Sequence, residues 1–371
     1  MAGKGQNIIQ IFERFAPKYL ALPDDKIGLQ VGTLNKDIKR VMLTLDVLEN
    51  VINEAIEKNV DLIISHHAVI YKSLKNLRTD LPRGQLYQKL LKHDIAVYVA
   101  HSNLDAADNG VNDALINKLG IKNTDTLEDT YLQKLKKIVV FVPESHHDQV
   151  LDALSANGAG WIGNYSHCSF NISGIGTFRP EEGTNPYIGK QGQLEKVKEI
   201  RIETVIVEEK LNQAIQAMVK AHPYEEVAYD IYPLDLFGKK YGIGRISKLE
   251  HSMKLKEFAS YVKEKLHLEG LRVVGDLDKS ISKVAVVGGN GNDYISKASF
   301  KGADVLITGD VYYHNAHDAL EQGLAVIDAG HNIEKFVLEN VKEYLEKEFT
   351  NKRIDTEVII SEVNTNPFQF I

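Results

Sequence analysis

The chain has 371 residues, 43% of them hydrophobic and 26% charged, the balance of a soluble globular protein too long for one ordinary core. One cysteine, Cys168, excludes an intrachain disulfide framework and any Cys-rich zinc module. The net charge of −7 argues against a broad nucleic-acid surface, which needs clustered Lys and Arg.

The N-terminus, MAGKGQNIIQIFERF, carries charges inside its apolar pattern and does not read as a signal peptide. No stretch reaches the roughly 18 uninterrupted apolar residues of a membrane helix. A cytoplasmic protein is expected.

Strand-like and helix-like stretches alternate over about the first 125 residues, the rhythm of a mostly parallel sheet. Arg40 to Asp46 reads as a buried strand and Leu48 to Lys58 as a helix. Asp61 to Ser65 is a strand followed at once by His66-His67, and Ile95 to Ala100 is a strand followed by His101. A helix after Gly110 ends on Gly120, a candidate C′ glycine. From Lys137 the pattern becomes strand, helix (147–157), strand (168–178), loop (180–192), strand (199–207), helix (211–221) and strand (227–232). That βαββαβ order is the split-βαβ pattern. After Tyr241-Gly-Ile-Gly-Arg245 the α/β rhythm returns. Val284–Val287 runs into Gly288-Gly289-Asn290-Gly291, Val305–Thr308 into Gly309-Asp310, and Ala325–Asp328 into Gly330-His331. A last helix is expected from about Glu334 to Glu348. The expected architecture is an α/β core in two halves, 1–129 and 238–371, interrupted by a small α+β domain at 130–237.

Side chains just past buried strands face the crevice where α/β proteins bind ligands. A His-His pair alone is most often a surface turn. Here Asp105, four residues beyond His101, adds a hard oxygen ligand, and His331 and Glu334 share a face at a helix start. His66, His67, Asp105, His331 and Glu334 therefore form a candidate metal set, with His101 in reserve. Adjacent residues of an extended backbone diverge, so His66 and His67 suit two ions better than one. His146-His147 is a lookalike without strand-end carboxylates, read as an exposed helix start with Ser145 as cap. His222-Pro-Tyr-Glu-Glu226 reads as a structural turn. Asp310, His314 and His317 stand evenly between an N-cap with solvent-facing histidines and groups that orient ligands or move protons. The 288–291 glycine turn matches no nucleotide fingerprint and reads as tight strand–helix packing.

These motifs resemble the Nif-three-like dinuclear-metal-centre family, many of whose bacterial members are labelled homologues of a type-two GTP cyclohydrolase. The resemblance rests on Gly28-Leu-Gln-Val-Gly32, Asp61–Ala68, Ala100–Asp105 with Gly110–Ala114, Tyr241–Arg245, Gly302–Asp310 and Gly330–Glu334. It implies His66, His67, Asp105, His331 and Glu334 as ligands of two divalent ions per subunit (Zn, Fe or Mn). Some members space the last His and Glu four apart rather than three, and often carry Trp-Asp-Asn where this chain has Asp24-Asp25-Lys26. The insert resembles a PII/CutA-like module, and the resemblance implies a toroidal homohexamer.

The expected function is a metal-dependent hydrolase acting on a nucleotide or small phosphate- or purine-bearing substrate, GTP by resemblance. Metals at the five ligands and proton transfer by His101, Asp310 or His314 would carry it. The alternatives are a non-catalytic, metal-binding regulatory hexamer with a ligand-sensing insert, and a toroid for single-stranded nucleic acid, which the charge disfavours.

Overall fold

The computed structural model describes residues 2–122 and 124–371. By its contacts the chain divides into two units, Met1–Tyr131 with Tyr241–Ile371, and Leu132–Lys240. Among the described residues no helix is long and apolar enough to cross a membrane.

The larger unit is built on two main sheets, beside a two-stranded pairing of Gly3–Lys4 with Asp37–Ile38. In the first, strands Glu357–Ile360, Arg40–Thr44, Leu62–Ser65 and Ala96–Val99 lie side by side and parallel, and Gly28–Val31 adds an antiparallel edge. Every residue of Leu62–Ser65 and Ala96–Val99 is buried, which explains why they read as continuous apolar runs. Alternation still operates within them. Val41, Leu43, Leu62 and Ile64 point into the main core, while Met42, Ile63 and Val97 pack with Val51, Ile52, Tyr87 and Leu90 of the helices on the opposite face.

The second sheet is built on parallel strands Ser280–Asn290, Val305–Gly309 and Ala325–Asp328. It is flanked by antiparallel Arg272–Val274 and by the stretch from Arg245 to Lys254. Its inner face (Val284, Val286, Val305, Ile307) joins Val41, Leu62 and Tyr98 of the first sheet and Ile8 and Phe12 of the first helix in one core.

Register aligns the strand ends. Thr44 pairs with Ser65, Ser65 with Val99, and Thr308 with Asp328, so the residues that follow them emerge at common edges.

In the smaller unit, the strand ending at Pro143 pairs antiparallel with Glu195–Val207, which pairs antiparallel with Ser169–Phe178. Helices His147–Ala156 and Leu211–Ala221 cover this sheet, and Val140, Val150, Leu154, Ile202, Ala214 and Met218 form its own core.

Most of the expected strands and helices fall close to where periodicity places them, but two strands run far longer, Asp125–Pro143 where 137–142 is expected and Tyr229–Lys254 where 227–232 is expected. Gly120 is the residue past a helix end, at φ +63°. The last helix begins later than expected, at Val337, because His331–Phe336 winds as a 3₁₀ turn. Ser145 is not a helix cap: its hydroxyl bonds His146 Nδ1 at 2.9 Å, and His146 itself occupies the cap position.

Arg245 ties the two halves of the larger unit. Only 6% exposed, it pairs through Nε with Asp113 and donates from Nη1 to the carbonyls of Gly242 and Gly244. Arg245→Ala should cost about 3 kcal/mol in denaturant unfolding, because it leaves Asp113 without its counter-charge, held by the Asn109 N–H, and takes a donor from two carbonyls. Arg245→Lys should recover only part of that, since an ammonium cannot reproduce the fork.

Candidate metal centre

Three groups of side chains converge in the larger unit, and each could hold a metal ion: His66 with His67 and His101, His67 with His331 and Glu334, and His66 with Asp105 and Glu334. All six residues were picked out from the sequence. Backbone position explains the meeting. His66 and His67 follow Leu62–Ser65, His101 follows Ala96–Val99, and Asp105 lies one helical turn further on. His331 and Glu334 follow Ala325–Asp328.

Glu334 is the centre. It is 4% exposed, and its Oε2 lies 3.0 Å from His67 Nε2, 3.2 Å from His331 Nε2 and 3.6 Å from His66 Nε2. His67 Nε2 and His331 Nε2 are 3.2 Å apart. Donor atoms bound at about 2.0–2.1 Å to one ion stand roughly 2.8–3.4 Å from each other between octahedral and tetrahedral angles. The Glu334–His67–His331 triangle has that size. On the other side of Glu334, Asp105 Oδ1 lies 3.6 Å from His66 Nε2.

Two buried atoms, His66 Nε2 and Asp105 Oδ1, have no hydrogen-bond partner. Such orphans are rare because each forfeits its solvation without compensation, and a cation between them would satisfy both. The donor set, imidazole and carboxylate without thiolate, suits Zn, Fe or Mn.

The surrounding groups orient the imidazoles. Asp46 Oδ1 accepts from His67 Nδ1 at 2.8 Å, Asp310 Oδ2 from His331 Nδ1 at 2.7 Å, and the Ala100 carbonyl from His66 Nδ1 at 3.0 Å. In all three the Nε2 atom faces the cluster, the carboxylate–histidine arrangement that fixes tautomer at metal sites. His101 Nδ1 bonds Asp25 at 3.0 Å, and Asp25 is held in turn by the backbone N–H and hydroxyl of Ser102.

Asp310 is therefore no N-cap. It sits at φ +54° and touches His331, while the next helix starts at Tyr313. His314 lies exposed on that helix against Tyr313, and neither His314 nor His317 joins the three groups. His146 and His147 also stay outside them. His222 is buried, with Nε2 donating to the Phe141 carbonyl and Nδ1 accepting the Tyr224 N–H, a structural role.

Sequence reasoning missed Asp25, Asp46 and Gly289. Asp46 ends the Arg40–Asp46 run and carried the same strand-end signal as His66. Asp25 lies in a loop marked only by its departure from the family's Trp-Asp-Asn run, of which it keeps the central Asp. At Gly289 (φ +64°) a Cβ would stand 2.2 Å from Glu334 Oε1 and 3.2 Å from His331 Nε2. The glycine makes room for the carboxylate, a closer role than the strand–helix packing expected of that turn.

The charges in the cluster act on one another at close range. Burial would lower the pKa of His67, but hydrogen bonds to Asp46 and Glu334 and their charges outweigh it and raise it to about 10. The Glu334 hydrogen bond raises His331 to about 9. Burial would raise Glu334, yet the imidazoles of His66, His331 and His67 hold its carboxyl well below the usual range. Burial raises Asp105.

Beside Asp310 opens a cavity of about 440 Å³, lined also by Arg272, Lys335, Asn332 and the C-terminal residues Asn364, Asn366 and Phe370.

The sequence profile of Duf34/NIF3 (NGG1p interacting factor 3) matches residues 3–367. This chain belongs to the Duf34/NIF3 family. Relatives named GTP cyclohydrolase 1 type 2 homolog are 53% identical in Halalkalibacterium halodurans, over 99% of both chains, and 54% identical in Bacillus subtilis, over 99% of this chain and 98% of that one. Among solved structures, a Bacillus cereus protein related to NIF3 superposes with TM-score 0.95 at 49% identity and covers all of both chains. A Staphylococcus aureus protein gives 0.77 at 31% identity, covering 100% of this chain and 99% of that one. The Duf34/NIF3 neighbours share the α/β fold described above.

Protonated His67 and His331 must lose their protons to offer Nε2 to a cation, so divalent-ion binding near pH 7.5 should release up to two protons. Release should fall, and affinity rise, as pH climbs through about 9 to 10. Calorimetric titration of zinc in buffers of different ionisation enthalpy measures this, and a buffer-independent heat would contradict it. Gly289→Ala should weaken ion binding more than tenfold and cost about 1–2 kcal/mol of stability for a side chain at positive φ, with circular dichroism otherwise unchanged.

Proposed function

We propose that His66, His67, Asp105, His331 and Glu334 would hold two divalent ions, with Glu334 common to both groups of ligands, and that the chain is a hydrolase for a nucleotide or other small phosphate- or purine-bearing substrate. The carrying observation is that one buried carboxylate stands in two three-residue groups, one of which contains both orphaned atoms. When bound, such ions would act as Lewis acids, polarising the electrophile and lowering the pKa of water.

The chain's own residues supply the rest. Asp46 and Asp310 hold His67 and His331 with Nε2 inward, and Glu334 balances the positive charge. His101, its Nδ1 hydrogen-bonded to Asp25 and its ring centroid 5.1 Å from that of His66, is placed to accept or return a proton at the edge of the cluster. Burial would lower its pKa, but the hydrogen bond to Asp25 and nearby carboxylates raise it, so it carries a proton more readily than an ordinary histidine. In the adjoining cavity Lys335 offers a cationic group for a phosphate, while Arg272 donates from Nη2 to Asp328 Oδ2 and the Val311 carbonyl and keeps its other N–H groups. The names of the relatives make GTP the first substrate to try, and the homohexamer implied by family resemblance is the assembly in which to try it.

Metal analysis by mass spectrometry should find up to two ions per purified wild-type chain and fewer in His331→Ala; unchanged content in that variant would sink the ligand assignment. Metal-loaded wild type is then screened against GTP, other nucleotides and phosphoesters beside His67→Ala. Turnover well above the variant is expected, with Lys335→Ala raising KM more than it lowers kcat. Full metal loading with no turnover above His67→Ala would reject the hydrolase and favour a metal-binding regulatory role.

A further inference from the structure

The smaller unit contains a cavity of about 460 Å³, within the range of small-ligand sites, that no part of the metal chemistry uses. Its walls are aromatic. Tyr224 lies with its ring centroid 5.8 Å from Phe178 and 6.2 Å from Tyr187, and Phe141 lines the same space. The segment from Arg179 to Ile188 contributes one side, and Glu225 braces that segment by accepting the Asn185 N–H at 3.0 Å.

At the cavity's wall is Glu199, only 8% exposed. Its Oε1 accepts the Tyr224 hydroxyl at 2.9 Å, and among the described residues no group donates to Oε2. That oxygen lies beside Gly176, where a Cβ would stand 2.0 Å away, so the absent side chain makes room for it. Tyr224 is itself fixed, since its N–H donates to His222 Nδ1 and the opposite ring nitrogen of His222 donates to the Phe141 carbonyl. Glu199 thus presents one unpaired carboxylate oxygen from a side chain otherwise removed from water, and a donor from a ligand would complete its hydrogen bonding. Among the lining residues Glu199, Glu225 and Glu226 face a single cation, the exposed Arg179.

We propose that this cavity binds a small organic cation, an ammonium or guanidinium group on a short apolar stem. The charged N–H donors would meet Glu199 Oε2, and the stem and cationic head would lie against Tyr224, Tyr187 and Phe178. Aromatic faces attract such a cation through the ring quadrupole, and a planar guanidinium can also stack on them. The site is independent of the metal centre, so neither reading stands or falls with the other.

Titration calorimetry on the full-length, metal-loaded chain tests this with n-butylguanidinium and n-butylammonium as probes, and neutral n-butanamide and GMP as contrasts. Saturable binding of one or both cations is expected, at least tenfold tighter than the amide. Glu199→Gln should weaken it tenfold or more. Tyr187→Ala, at a side chain 53% exposed and therefore unlike Glu199 in its weight on folding, should weaken it roughly two- to fivefold, the worth of one cation–π contact. Metal content should stay unchanged in both variants. No saturable binding of either cation, equal binding of the amide, preference for GMP, or wild-type affinity in Tyr187→Ala together with folded Glu199→Gln would each overturn the proposal.

Discussion

The larger unit is organised around one expensive choice, the near-complete burial of the Glu334 carboxylate. An ionised carboxylate out of water is tolerated only with close positive charge or donors on its oxygens. Here three imidazoles lie within 3.6 Å of a single oxygen. Much else answers to that requirement. Gly289 lacks a side chain because one would collide with Glu334, and Asp46 and Asp310 each hold an imidazole from behind. Thr365 in turn donates to Asp46 Oδ2 at 2.5 Å, which recruits the C-terminal segment to the same purpose.

The fold delivers these groups through register. Parallel strands have all their C-terminal ends at one edge, so residues widely separated in the chain arrive there without any special loop. His66 and His331 are 265 positions apart yet occupy equivalent places, just beyond a buried strand of each sheet. A common core that includes Leu62 and Tyr98 from one sheet and Val284 and Ile307 from the other holds those ends in place.

This explains what could be read from the sequence. Buried parallel strands announce themselves as short apolar runs, and a polar residue directly after one is conspicuous; His66, His67, His101 and His331 stood out for that reason. Orientation was less legible. An extended backbone would send His66 and His67 to opposite sides, but the strand ends at Ser65 and the chain bends, so both rings enter the cluster with centroids 4.9 Å apart. Asp25 was illegible because its role depends on a loop meeting His101 76 residues away, and no local pattern encodes that meeting. The glycine turn was visible, but its purpose was not, since an absent side chain is explained only by what occupies its place.

The spacing of His331 and Glu334 shows how local winding and site chemistry are joined. In an α-helix positions three and four apart both lie near one face, and a spacing of four is as natural as three. In a 3₁₀ turn side chains at i and i+3 eclipse, because three residues complete the turn. His331–Phe336 is such a turn, and it sets His331 Nε2 and Glu334 Oε2 3.2 Å apart. The tight winding therefore supplies what the shorter spacing needs. Regular α-helix resumes at Val337, once both side chains are in place, and Val337, Val341 and Leu345 then anchor the helix in the core. The departure from regular helix is local and coincides with the two residues the cluster uses, which is where a fold concentrates irregular backbone when a site, rather than packing, sets the geometry.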